Sequence, residues 1–243
     1  MYIIVNNLSV YYKNGHEALH NATCSIPESS ITALLGVNGS GKTTLFRSIM
    51  GILPQSTGSV SIDNKPVSSA IKNNLISYVP QIDEIDWDFP ILVKDVVMMG
   101  RYGYMNFLRI PSSEDEKIVS ESLNKVGMSE LIDRQIGELS GGQKKRVFIA
   151  RALAQKSRVL LLDEPFTGVD TKTQETIIDL IKTEKNNKKI ILISTHDLNI
   201  VPDFCDRTIL INKTILKEGP TKEVFTKENL VNTFGNNFRY YDL

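Results

Sequence analysis

The chain has 243 residues with a hydrophobic fraction of 41%, which suits one large domain or one domain carrying an inserted lobe. Lys plus Arg balance Asp plus Glu at 28 each, so no bulk field draws the chain to nucleic acid, and no nucleic-acid partner is expected. No stretch approaches the roughly 20 apolar residues that span a bilayer, and the N-terminus lacks a secretory leader's basic start and long apolar core.

In chain order, "YIIVNNLSVYY", "EALHNATCSI", "ITALLG" and "GSVSID" predict short strands in a partly antiparallel sheet. Cys24 and Cys205 lack metal-ligand spacing and read as small buried hydrophobes. His16 and His20 sit in no chemical context. Between residues 83 and 139 the period turns helical. "VKDVVMMGRYG" reads as a helical stretch ending in Gly103. In "SSEDEKIVSESLNKVG", Ser113 and Glu116 have capping-box spacing, with Ile118, Val119, Leu123 and Val126 on one face and Gly127 as the stop. Ser140 and Gln143 have the same spacing ahead of "GGQKKRVFIARALAQ", whose Val147, Ala150 and Leu153 form an inward stripe. "SRVLLLDEP" and "NKKIILISTHD" read as buried parallel strands joined by a crossover helix over "TKTQETIIDLIKTEK". A hairpin, "RTILINKTILKEGP", and one helix, "TKEVFTKENLVNTF", close the chain. The fold class is α/β, with an antiparallel N-terminal β subdomain and a helical lobe inserted into the core.

Three apolar runs, residues 31–35, 159–162 and 190–193, each end in a chemically loaded segment: "GVNGSGKT", "DEP" and "STHD". Ligands of open α/β sheets bind beyond the carboxyl ends of the strands. "GVNGSGKTT" fits G-x-x-x-x-G-K-[ST] between a strand and a helix closed by Gly51, the pattern of a phosphate cradle. Lys42 is then expected on the β/γ-phosphates and the Thr43 hydroxyl on Mg²⁺. Asp163 and Glu164, an ordinary solvated pair in isolation, become beside that cradle a Mg²⁺ holder and a base for the attacking water. His196 is either a γ-phosphate sensor or a structurally satisfied histidine. Gln81, after the strand of "SYVPQ", carries an amide oxygen suited to Mg²⁺ or water. Gly141 and Gly142 bare the first-turn N–H groups of their helix, which makes a second anion-binding helix start.

"GVNGSGKTT", "PQ", "LSGGQKKR", "LLLDEP", "TGVD" and "STHD" follow in the order and spacing of ATP-binding cassette proteins. The motifs run from Tyr12 to His196, and the chain resembles that family over nearly its whole length. The resemblance implies a single cassette over residues 1–243 with a P-loop NTPase core, the helical lobe spanning about 83–139 and the helix after it. It implies ATP as substrate and two identical chains paired head to tail around two ATP molecules. By motif, Tyr12 is similar to the aromatic that stacks on adenine, with adjacent Tyr11 an open alternative. Gly36, Val37, Asn38, Gly39, Ser40, Gly41, Lys42, Thr43 and Thr44 correspond to the phosphate loop, and Thr43, Gln81 and Asp163 to the Mg²⁺ shell. Glu164 resembles the general base and His196 the switch histidine. Ser140, Gly141, Gly142, Gln143 and Asp170 resemble the groups that complete the opposite chain's site. Val169 stands where the family's "D" motif usually has leucine, a mild departure.

A cassette of this kind implies a separate multi-span permease and, for an importer, an extracytoplasmic binding protein, which places the chain at the cytoplasmic face of a bacterial membrane. "VPQIDEIDWDFPILVKDVVMMGRYG" resembles the matching segment of manganese, zinc and iron importers. Trp87, Phe89 and Pro90 either shape a permease groove or simply pack the loop. The alternatives are a ferric-chelate or cobalamin importer and a cassette with no transport role.

Overall fold

Strand β1, Tyr2–Tyr11, changes its inward parity half-way along. Ile3 and Val5 face the core from odd positions and Leu8 and Val10 from even ones, all of them buried. Side chains alternate across a strand, so only an extra residue can make that change. The register against β2, Glu17–Pro27, slips between Val5 and Leu8, and Asn7 takes a left-handed φ of 46°. This is a computed structural model, and it describes residues 1–53, 56–81 and 89–235. The chain divides into two units, Met1–Asn73 with Lys185–Leu243, and Asn74–Glu184.

In the first unit, β3 (Ser30–Leu35) is buried along its whole length, and α1 (Lys42–Ile49) follows it. The chain then returns as β4 (Thr57–Ile62), antiparallel to the other edge of β1. Gly58 on β4 lies against the bulge, where a Cβ would strike the Asn6 and Asn7 carbonyl oxygens. The kink and the glycine opposite it therefore belong together. A two-residue strand β5 (Lys65–Pro66) and helix α2 (Val67–Lys72) complete this half.

The second unit opens with β6, Ile76–Val79, and its helices are α3 (Val93–Met98), α4 (Ser113–Lys125) and α5 (Gly141–Ala154). These three pack on one another, and β7 (Val159–Asp163) pairs parallel with β6 before α6, Thr171–Asn186. Two expectations are corrected here. The stretch does not run as one helix to Gly103: α3 ends at Met98 and a 3₁₀ stretch carries the chain through Gly103 to Tyr104. A Cβ on Gly100 would collide with the Arg151 carbonyl, so this glycine serves close approach to α5. The capping box of α4 uses Ser112 and Asp115 rather than Ser113 and Glu116.

The shift is explained by Arg101, whose Nε donates to Asp115 Oδ1 at 2.9 Å while its guanidinium also reaches the Ala154 carbonyl. Hydrogen bonds from the Ser112 hydroxyl and amide, and then from Arg101, hold the Asp115 carboxyl down at about 2. A carboxyl whose folded pKa lies below its ordinary 3.8 contributes fully to stability above about pH 5 and loses that contribution as pH falls from there through about 2. By pH 3 the loss at this site is expected to be about 1 kcal/mol. Urea titrations near pH 6 and near pH 3 check it: the Asp115→Asn chain should lose less stability between them by about that amount.

The first unit resumes with β8 (Ile190–Ser194), α7 (Val201–Phe204), β9 (Arg207–Asn212) and β10 (Thr214–Pro220). Strand β3 pairs parallel with both β8 and β9, and β9–β10 is the expected antiparallel hairpin, turning at Lys213. The single closing helix is corrected to two, α8 (Thr221–Val224) and α9 (Lys227–Phe234), because Thr226 accepts from the Asn229 N–H and caps a fresh start. Cys24 and Cys205 are buried and unbridged, and burial pushes both thiols up to about 12. Both sheet types thus form, antiparallel at the N-terminus and parallel with helices in the core, as the α/β reading requires. Among the described residues no helix is long and apolar enough to cross a membrane.

Candidate functional site

The chain passes from β3 into α1 through Gly39 and Gly41, whose φ angles of 78° and 99° lie in the left-handed region. A Cβ on Gly41 would also strike Leu19 and the Ala18 carbonyl, so the turn is available only to glycine. Lys42 Nζ folds back over the loop and donates to the carbonyls of Gly36 (2.7 Å) and Val37 (3.2 Å). Asn38 and Gly39 form the exposed tip, and Thr43 is half-buried in the first turn of α1. Ser40 is buried, and its hydroxyl has no hydrogen-bond partner among the described residues.

Tyr12 is half-buried with its hydroxyl 3.0 Å from Thr44 Oγ1, on the helix that leaves the loop. Tyr11 instead donates to Glu17 Oε1 at 2.6 Å and is half exposed. Of the two, Tyr12 is the one tied to the phosphate loop. His196 follows β8, the parallel neighbour of β3, and is exposed just beyond Thr195. Within this unit the phosphate loop and His196 therefore leave adjacent strands at the same edge.

The second unit repeats the arrangement. Asp163 is the buried last residue of β7, and Gln81 lies two residues beyond β6, its parallel neighbour. The Tyr78 hydroxyl donates to Asp163 Oδ2 at 3.2 Å. Glu164 takes φ +51°, a conformation that costs a residue with a Cβ about 1 kcal/mol or more. It is fastened from two sides: Lys145 Nζ donates to its carbonyl (2.9 Å) and Thr167 Oγ1 to its Oε2 (3.3 Å).

Ser140 and Gln143 form the expected reciprocal cap of α5: Ser140 Oγ accepts from the Gln143 N–H, and Gln143 Oε1 accepts from the Ser140 N–H. Gly141 and Gly142 behave unlike Gly41. Their φ angles are not left-handed, and an added Cβ would find only ordinary contacts, at 3.9 Å for Gly141 and 3.7 Å or more for Gly142. Among the described residues nothing demands glycine there. Asp170 caps α6, accepting from the Thr173 N–H (2.9 Å) and hydroxyl (2.8 Å), and those bonds lower its pKa.

Sequence reasoning missed Tyr78, Lys145 and Thr167. One signal was present for Lys145: it shares an i, i+4, i+7 row with Ile149 and Ala152, where an apolar residue is expected. Trp87 and Asp88 of the substrate-clue loop lie outside the described residues, while Phe89 and Pro90 are exposed.

A family model described as ABC transporter matches residues 19–167. The chain belongs to the ABC transporter family. This ABC transporter chain is 57% identical over 241 residues to the chelated iron transport system membrane protein YfeB of Yersinia pestis, covering 99% of the chain and 81% of YfeB. It is 60% identical over 233 residues to the manganese transport system ATP-binding protein MntA of Synechocystis sp., covering 96% and 90%. An ABC transporter of metal-chelate type in an inward-facing conformation superposes with a TM-score of 0.82 at 30% identity, over 95% of this chain and 87% of that one. The cassette is a nucleotide-binding subunit that hydrolyses ATP.

Proposed function

We propose that this ATPase energises import of a divalent transition metal, manganese first with zinc or iron as alternatives. Transport runs through a separate multi-span permease at the cytoplasmic face of a bacterial membrane, supplied by an extracytoplasmic metal-binding protein. The observation that carries the reading is the 60% identity, over 96% of the chain, with a protein named for manganese transport. The names of YfeB and of the metal-chelate transporter favour the second reading, a chelate substrate.

The hydrolytic chemistry is assigned residue by residue. Tyr12 stacks on adenine. The loop N–H groups from Gly36 to Thr44 surround the phosphates, and Lys42 exchanges the Gly36 and Val37 carbonyls for β/γ-phosphate oxygens, which are stronger, charged acceptors. Thr43, Gln81 and Asp163 offer a hydroxyl, an amide oxygen and a carboxylate, a hard oxygen set that fits Mg²⁺. When bound, Mg²⁺ neutralises charge on the phosphates. Glu164 accepts a proton from the attacking water, and His196 contacts the γ-phosphate. Ser140, Gly141, Gly142, Gln143 and Asp170 act on nucleotide held by a second copy of the chain. Support for that assignment comes from Gly141 and Gly142, whose missing side chains the fold does not explain.

The transport reading is tested in cells lacking their own manganese importer. The chain with its permease should restore accumulation of radiolabelled manganese, and the Glu164→Gln chain should not. Uptake of a ferric chelate without manganese would overturn the manganese reading in favour of the second.

A further inference from the structure

We propose that Lys145 is a positioning residue for hydrolysis, holding the Glu164 main chain in the one conformation that aims its carboxylate. The proposal rests on the reading of Glu164 as the general base.

Lys145 is 1% exposed, among the largest fully buried side chains of the protein. A desolvated ammonium is costly unless hydrogen bonds or opposite charge compensate it. The row it occupies on α5 continues with buried Ile149 and Ala152, so packing alone is served by a methionine. What the cation adds to packing includes a hydrogen bond to the turn that carries Glu164.

Its Nζ donates to the Glu164 carbonyl at 2.9 Å, and the Thr167 N–H reaches the same oxygen at 3.4 Å. Fixing the direction of that carbonyl fixes ψ of Glu164. With φ already at +51°, both soft torsions of the residue are then set, and with them the direction of its Cα–Cβ bond. Thr167 Oγ1 steadies one carboxylate oxygen from the other end. Released from Lys145, a residue with a Cβ is free to relax from the left-handed region, which swings the carboxylate away from its working direction. Lys145 is not a partner of the reacting atoms. It acts only through Glu164.

The test uses the full-length chain with single-turnover hydrolysis, calorimetric ATP affinity and thermal unfolding. Lys145→Met should slow hydrolysis by roughly 10- to 100-fold, the scale of a misaimed catalytic group, with ATP affinity changed less than about twofold. Lys145→Gln, polar but one atom shorter, should fall between Met and the parent, and it carries the test should the methionine chain not fold. The decisive readout is the background. Added to Glu164→Gln, either substitution should change the residual rate less than about twofold, because a group that acts through Glu164 has nothing left to aim. A merely structural lysine would slow both backgrounds alike and lower the unfolding temperature in step. Full hydrolysis by the Lys145→Met chain, or equal losses in both backgrounds, overturns the proposal. Parent-like turnover by Glu164→Gln alone would instead remove Glu164 from its role and leave the reason for Lys145 elsewhere.

Discussion

Glu164→Gln is expected to keep ATP bound while its hydrolysis slows by about 10²- to 10⁴-fold, the range that a lost general base accounts for. The substitution is close to isosteric. The Lys145 bond goes to the main-chain carbonyl and the Thr167 hydroxyl bond survives on an amide oxygen, so the turn at φ +51° remains held. What disappears is one carboxylate able to take a proton from water. Nucleotide contacts from the phosphate loop are untouched, so ATP should persist long enough to trap two chains around it. Single-turnover assays and size analysis in ATP check both halves. Hydrolysis at the parent rate by the variant would take the base assignment away from Glu164.

Gly141→Asp is expected to move stability and activity in opposite directions. The isolated chain has room for the side chain, since the nearest atom to an added Cβ is the Gly168 carbonyl oxygen at 3.9 Å. The first turn of α5 carries no acidic residue, so a carboxylate there complements the helix dipole and adds about 0.3–1 kcal/mol. Replacing a glycine whose backbone is not left-handed also removes freedom from the unfolded chain. The unfolding temperature should hold or rise. ATP hydrolysis should nevertheless fall by about 10²-fold or more, because like charges brought together at an interface cost several kcal/mol. Mixing this chain with Lys42→Ala should recover activity that neither has alone. Each mixed pair then holds one intact phosphate loop facing one intact helix start, about a quarter of the parent site density in a random equal mixture. A stable Gly141→Asp chain with parent activity would remove the α5 glycines from the nucleotide site.

The phosphate loop and the Ser140 cap were legible because their signals are local: glycines a few residues apart, or an acceptor three residues before its donor. The α4 cap shows where such signals run out. Ser112–Asp115 and Ser113–Glu116 fit the same rule, and the choice falls to Arg101, a residue on another element. Gly103 misled for a related reason, since a glycine reads equally as a helix stop or as a place where another group, here the Asn74 side chain, comes close. Tyr78 and Lys145 were invisible as partners of Asp163 and Glu164. They lie 85 and 19 residues away along the chain, and only the packing of β6 and α5 brings them in. The split between α8 and α9 was missed because the apolar period continues through Thr226 while its cap geometry does not.

The sealed thiols of Cys24 and Cys205 carry a practical corollary. With both sulfurs held as SH at neutral pH and screened from water, the folded chain is in effect a cysteine-free background. Spin labels, fluorophores or crosslinkers aimed at a single introduced cysteine can then report on the proposed seam between two copies with no engineering of the native pair.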